Sequence, residues 1–290
     1  MTQDSQPSGH AKRPQYSHSR LSSFETCPQK FAYRYIHKIE TEQESIEAFV
    51  GKRVHEILER LYHHVGRYGK PPSLAQVHER FRQDWLSAWH GQVGIVRTEF
   101  DVAHYQQLGE RCLENYYRRH YPFDSDETVG IEELVQFPLD EAGSYRIRGI
   151  IDRVVRRGPG RYEIHDYKTG GYLPPRKRID ADRQLALYQI GLSQRYPDAE
   201  EFELVWHYLA HNRTLRSQRT PEQLQVLREE TIAQIDQIEA TTEFPARTGP
   251  LCRWCEYLGI CPTQREQASA EPDAPPPPPL GSSPRQLPLL

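Results

Sequence analysis

Apolar residues return at helical spacing through most of the first 120 positions and then switch to a spacing of two. From Ser22 to about Ile36 the series Phe24, Cys27, Phe31 and Tyr35 predicts a helix, with Ser22 or Ser23 as its cap. A second helix is predicted from about Ala48 to Val65, its apolar face made by Val50, Val54, Ile57, Leu58 and Leu61. Helices over about 74–90 and 100–120 follow, the latter carrying Leu108, Cys112, Leu113 and Tyr116 on one side. Residues 131–139 and 145–156 then read as strands, and Arg157-Gly158-Pro159-Gly160 as a turn. Tyr162 to Lys168 completes an antiparallel hairpin, and a helix (about 181–195), a strand (about 202–210) and a helix (about 220–240) close the pattern. Helices, a hairpin, then helix–strand–helix predict an α/β domain with a central mixed sheet flanked by helices.

The two ends lie outside this pattern. Residues 1–18 mix Gly, Pro, Ser, Gln and His without periodicity and are expected to be a loose arm. Residues 264–290 are low-complexity, with five consecutive prolines at 275–279, and cannot build a core. The expected domain is therefore 19–263. A hydrophobic fraction of 37% and a mean hydropathy of -0.80 agree with residues left outside any core. No stretch approaches the roughly 20 apolar residues of a membrane helix, and no apolar signal segment is visible, so a cytosolic protein is expected.

Composition leaves nucleic acid open as a partner. The net charge is -3, but local patches rather than the total set the field that a polyanion meets. No Gly-x4-Gly-Lys-Ser/Thr phosphate loop is present, so an ATP-driven motor would have to come from a helicase partner.

The hairpin carries the strongest chemistry. Strand periodicity puts Asp166 and Lys168 on one face, and a turn about Pro159 sets Asp152 opposite Asp166. Neighbouring carboxylates repel unless a cation or a proton lies between them, and oxygen ligands favour Mg²⁺ or Mn²⁺. The lysine could stabilise phosphate charge or position a water. With seven lysines against 30 arginines, lysine is not this chain's default cation. His55, at the start of an amphipathic helix beside Gly51, is a candidate third ligand. Gln184 and Tyr188 share a helix face and could support the lysine. Arg176, Lys177 and Arg178 form a basic loop suited to phosphate contacts.

In this order, His55, Gly149-x-x-Asp152, Asp166-Tyr167-Lys168-Thr169-Gly170 and Gln184-x-x-x-Tyr188 resemble the RecB-type nucleases of the PD-(D/E)XK group over about residues 21–262. The resemblance implies a restriction-endonuclease-like fold and a metal-dependent deoxyribonuclease. It implies metal ligation by His55, Asp152, Asp166 and the Tyr167 carbonyl, a lysine (Lys168) that serves the attacking water, and a supporting pair in Gln184 and Tyr188. The expected substrate is DNA with single-stranded character, cut by an exonuclease or an end- or flap-processing enzyme of repair or recombination, at the nucleoid. Two other classes stay open: a non-catalytic DNA-binding scaffold of a helicase–nuclease complex, and an RNA-processing nuclease of the same fold.

Cys252-x2-Cys255-x5-Cys261 is a compact metal-binding pattern that needs a fourth ligand, for which Cys27 is the best candidate. Spacing alone allows Zn²⁺ or a [4Fe–4S] cluster. One distant N-terminal cysteine plus a C-terminal triplet is similar to the iron–sulfur clasp of AddB-type and CRISPR spacer-acquisition nucleases, which implies the cluster. Cys112, on an apolar helix face, is expected in the core. At the end of the tail, Gln286, Leu287, Leu289 and Leu290 are similar to the short peptides that dock bacterial sliding clamps, which implies a clamp partner.

Overall fold

The computed structural model describes residues 13–125 and 127–263. Helix α1 (His18–Thr26) starts earlier than the periodicity predicts, because Ser17 supplies the cap: its hydroxyl accepts from the Arg20 N–H at 3.1 Å. Ser23 is buried instead. The helix expected through Ile36 is also broken. The residue before a proline is pushed out of the α region, and Cys27 is extended at φ -159°, ψ 107°. Pro28 then opens a short α2 (Pro28–Phe31), which passes into a π-helical turn over Ala32–Ile36. Cys27 therefore sits at a corner, not on a helix face.

A two-residue strand, β1 (Glu44–Ser45), pairs in parallel with β2 (Val93–Gly94). Between them lie α3 (Ile46–Tyr68), capped by Ser45, and α4 (Leu74–Ala88); α5 (Val102–His120) follows, capped by Asp101. The apolar faces of all three helices converge, with Val50, Val54, Leu58, Phe81, Trp85 and Leu113 in one core. Each such side chain removed from water stabilises the fold by about 1.5–3 kcal/mol. Cys112 lies in the same core.

The main sheet has five strands in the order β3 (Glu127–Pro138), β4 (Arg146–Gly158), β5 (Arg161–Lys168), β6 (Glu201–Tyr208) and β7 (Arg213–Ser217). It is mixed: β5–β6 run in parallel and the other three pairs are antiparallel. The crossover from β5 to β6 carries α6 (Arg176–Asp180) and α7 (Gln184–Arg195); α8 (Pro221–Ala240) follows β7. Strand β7 was not predicted. It is an edge strand whose residues Arg-Thr-Leu-Arg-Ser show no apolar alternation to read. The second core, on the α7 and α8 side, holds Ile147, Ile151, Val154, Ile164, Trp206 and Ile235. Strand β5 lies at the centre, buried on both faces from Tyr162 to Tyr167.

The loose arm was expected through residue 18, but Tyr16 is already fixed in the structure. Tyr16 is 2% exposed, donates its N–H to the Arg146 carbonyl at 2.9 Å and accepts from the Arg148 N–H at 2.7 Å. Strand β5 pairs β4 only from Arg153 onward, so Tyr16 satisfies backbone groups that would otherwise lack a partner. Among the described residues no helix is long and apolar enough to cross a membrane.

Candidate active site

The β4–β5 register is the one a turn about Pro159 requires: Arg153 pairs with His165 and Val154 with Ile164. Gly158 and Gly160 make that turn possible at positive φ. Asp152 and Asp166 fall one step beyond the last paired residues. There the Asp152 side chain replaces the ladder, its Oδ2 accepting the Tyr167 N–H at 2.7 Å. Asp166 is 4% exposed and faces Lys168, whose Nζ lies 2.9 Å from Oδ1 and 2.7 Å from Oδ2. The same ammonium donates to Gln184 Oε1 at 3.0 Å. Burial opposes the charge on Lys168, but Asp166 outweighs it and holds the amine above its ordinary value. Lys168 thus stays a proton donor.

Helix α3 brings His55 to the other side of these groups. Its Nδ1 lies 3.3 Å from Asp152 Oδ1 and its Nε2 lies 2.8 Å from the Tyr167 carbonyl oxygen. Burial works against a charged ring here, yet the hydrogen bond and charge of Asp152 raise its pKa to about 9. With both nitrogens facing acceptors, the protonated ring donates from each.

One member of the site was missed in the sequence. His55, Glu132 and Asp152 offer ligand atoms that all lie within 4.8 Å of one another. Glu132 sits between the pairs Ile131–Arg153 and Glu133–Ile151, which sets it opposite Asp152, and its φ of 45° breaks the ladder there. A left-handed glutamate within a strand is a local strain of the kind that functional sites retain. The inward alternation of β4 also slips by one at this level, since Ile151 and Val154 share one core. The signal was available: a turn centred on Ala142 would have set Glu132 opposite Asp152, by the same reasoning used for the next hairpin.

This donor set of one imidazole and several oxygens fits a hard divalent cation. Oδ2 of Asp166 is buried and makes no hydrogen bond, although it lies close to the ammonium, which leaves a lone pair for such an ion. Burial, then the charge of Asp152, pushes Glu132 up to about 7. Burial likewise raises Asp166. All three groups sit above their ordinary values, so without a cation the stability they contribute is lost as pH rises through about 7 and then about 9. A bound cation reverses that loss by displacing the protons. Mn²⁺ should therefore raise Tm little near pH ~5.5 and progressively more up to pH ~9, with proton release on binding. A shift that stays flat across this range, followed by scanning calorimetry, would remove these residues as ligands.

Helix α7 supports the lysine. The Asp182 carboxylate accepts the Gln184 N–H at 2.9 Å, and Arg183 ties the helix start to Glu25 at 2.6 and 2.7 Å. Tyr188 packs against Gly149, where any Cβ would lie 2.1 Å from its ring. The two sequence elements Gly149-x-x-Asp152 and Gln184-x-x-x-Tyr188 are thus one packing unit. Arg176, Lys177 and Arg178 form an exposed helical turn rather than a loop; Arg176 pairs with Asp180 at 3.0 Å and Arg178 reaches the Tyr172 hydroxyl at 3.4 Å.

Cys27, Cys252, Cys255 and Cys261 line one cavity of about 690 Å³, away from the carboxylates. The Arg247 and Gly249 N–H groups donate to the sulfurs of Cys27 and Cys252 at 3.4 and 3.3 Å. Among the described residues, no three cysteine sulfurs lie within 4.8 Å of one another. Cys112 is apart from them, its thiol pushed up to about 12 by burial. Gln286, Leu287, Leu289 and Leu290 lie outside the described residues.

Residues 15–262 match the profile of the PD-(D/E)XK nuclease superfamily. The fold is similar to the crystal structure of a candidate exonuclease from Eubacterium rectale, with a TM-score of 0.50 and 15% identity over 87% of each chain. The crystal structure of SSO0001 aligns over 88% of this chain and 89% of its own at 16% identity, with a TM-score of only 0.36. No functionally curated protein matches the sequence.

Proposed function

The chain belongs to the PD-(D/E)XK nuclease superfamily, and from that premise we propose a Mg²⁺- or Mn²⁺-dependent deoxyribonuclease of RecB type. It acts on DNA with single-stranded character, as an exonuclease or an end- or flap-processing enzyme in repair or recombination. The observation that carries this reading is the convergence of His55, Glu132 and Asp152 beside the Asp166–Lys168–Gln184 chain. Those acids and the Tyr167 carbonyl, with a neutral His55, would hold the ion. When bound, the ion supplies Lewis acidity toward the phosphodiester and lowers the pKa of water. Lys168, kept protonated by Asp166, orients the attacking water or a phosphate oxygen by donating to it. Gln184 and Tyr188 hold the lysine in line.

The cysteines are read as the ligands of a [4Fe–4S] cluster that joins α1–α2 to the C-terminal segment. Support comes from all four cysteines lining one cavity and from the resemblance of their order along the chain to the iron–sulfur clasp; Zn²⁺ is the alternative. Closing a loop from residue 27 to 252 would also favour the folded state.

The test uses protein purified without oxygen, its absorption spectrum and metal content, and 5′- and 3′-labelled single- and double-stranded DNA with Mn²⁺. Iron with visible charge-transfer absorption and cutting of the single strand are expected. Zinc alone would end the cluster assignment. Preference for an RNA competitor would move the substrate to RNA, and no cutting of any nucleic acid would end the nuclease reading.

A further inference from the structure

The strand that carries Lys168 leads through Gly170-Gly171 into two exposed apolar side chains. Tyr172 is 60% exposed and Leu173 is 39% exposed. The loop is held: His211 Nε2 donates to the Gly171 carbonyl at 3.0 Å. The Arg178 guanidinium approaches the Tyr172 ring to 5.9 Å from its centroid and donates to its hydroxyl. Tyr208, which pairs with Lys168 across β5–β6, is within electrostatic reach of both Tyr172 and Asp166. Tyr172 thus follows the lysine by four residues, more than half exposed and held by Arg178.

The other flank of the site carries a second apolar surface. Leu134 and Ile150 pair across β3–β4 and are 45% and 49% exposed. Each lies two residues from an acid of the metal group, Glu132 or Asp152, so the apolar pair adjoins the acid pair on its own strands, roughly 7 Å along. A centre built for phosphate is therefore bracketed by apolar side chains. Phosphates and sugars gain nothing from such surfaces, and paired bases hide their faces in the stack. Unpaired bases present both a π-face and an apolar edge.

We propose that Tyr172 with Leu173 on one flank, and Leu134 with Ile150 on the other, are base-contacting platforms that hold unpaired nucleotides on both sides of the scissile phosphate. Arg178 fixes the Tyr172 ring and offers its charge to the backbone as it leaves the site. This assignment rests on the nuclease reading and names what makes the site selective for single strands.

The experiment compares the wild type with Tyr172→Ala and Tyr172→Phe on a single-stranded oligodeoxynucleotide and on the same oligonucleotide with abasic central positions. The Ala variant should raise KM on the intact strand roughly five- to hundredfold with a smaller change in kcat, as loss of one stacked base predicts. The Phe variant should keep most of the wild-type KM. On the abasic strand the Ala variant and the wild type should become alike. Loss of the same factor on both strands, or no loss on either, overturns the proposal. Thermal melting of each variant excludes misfolding, and Leu134→Ser with Ile150→Ser provides an independent variant with the same expected pattern. If the wild type cuts nothing, the nuclease reading has failed. Fluorescence anisotropy with Ca²⁺ in place of Mn²⁺ then makes the same intact-versus-abasic comparison by binding, so the two failures are told apart.

Discussion

Asp152→Ala is expected to lower DNA cleavage by at least about 10³-fold, the order found when one fixed electrostatic contact to a transition state is removed. The Asp152 side chain joins several parts of the site. Its Oδ2 holds the Tyr167 N–H, its Oδ1 faces His55, and it lies opposite Glu132 across β3–β4. Under the proposed function, alanine removes one cation ligand and frees two neighbouring groups from their alignment. The fold should survive. An unpaired Tyr167 N–H costs about 1–3 kcal/mol, but the change also relieves the repulsion that Asp152 exerts on Glu132 and Asp166. The expected signature is a protein of near-normal melting temperature whose Tm no longer responds to Mn²⁺. Wild-type cleavage by the variant would move the catalytic centre elsewhere.

Gly149→Ala should have the largest effect on folding for the smallest chemical change. Its Cβ would lie 2.1 Å from Tyr188 Cε1 and 2.7 Å from Cζ. Tyr188 is 6% exposed within the core, so its ring has little room to retreat. Overpacking of this kind costs about 1–3 kcal/mol. A displaced Tyr188 shifts the first turns of α7, where Gln184 accepts from Lys168, and a misplacement of about 1 Å can lower a rate roughly 10²-fold. When Gly149→Ala is combined with Tyr188→Ala, the two losses in Tm should be less than additive because the clash is gone, without restoring activity. A single Gly149→Ala variant that melts like the wild type would show that this contact is not formed.

The periodic helices were legible because their signal is local. The apolar face of α3 appears in the spacing of Val50, Val54, Ile57, Leu58 and Leu61, and the helix buries those residues. The start of α1 was misjudged because serines recur at 17, 19, 22 and 23, and the one that caps the helix is Ser17. Strand β7 was invisible because an edge strand takes its backbone partners from β6 and needs no apolar pattern of its own. The functional reading of Arg176, Lys177 and Arg178 as a loop missed a helical turn that is only five residues long, too short for a periodic signal.

What the sequence alone determined was a set of relations that are short in chain distance. Asp166 and Lys168 share a face because strands alternate, and a tight turn sets the register that brings Asp152 beside them. The tertiary structure decided the rest. Whether His55 meets Asp152 depends on where α3 docks, and whether Tyr188 covers Gly149 depends on how α7 crosses the sheet. The pairing of Glu132 with Asp152 was within reach of the hairpin reasoning, but the left-handed backbone at Glu132 was not. The four cysteines share a cavity because the chain returns from residue 252 to the corner that Pro28 makes at Cys27. Such contacts are made by packing between segments far apart in the chain, and local residue spacing carries no measure of that distance.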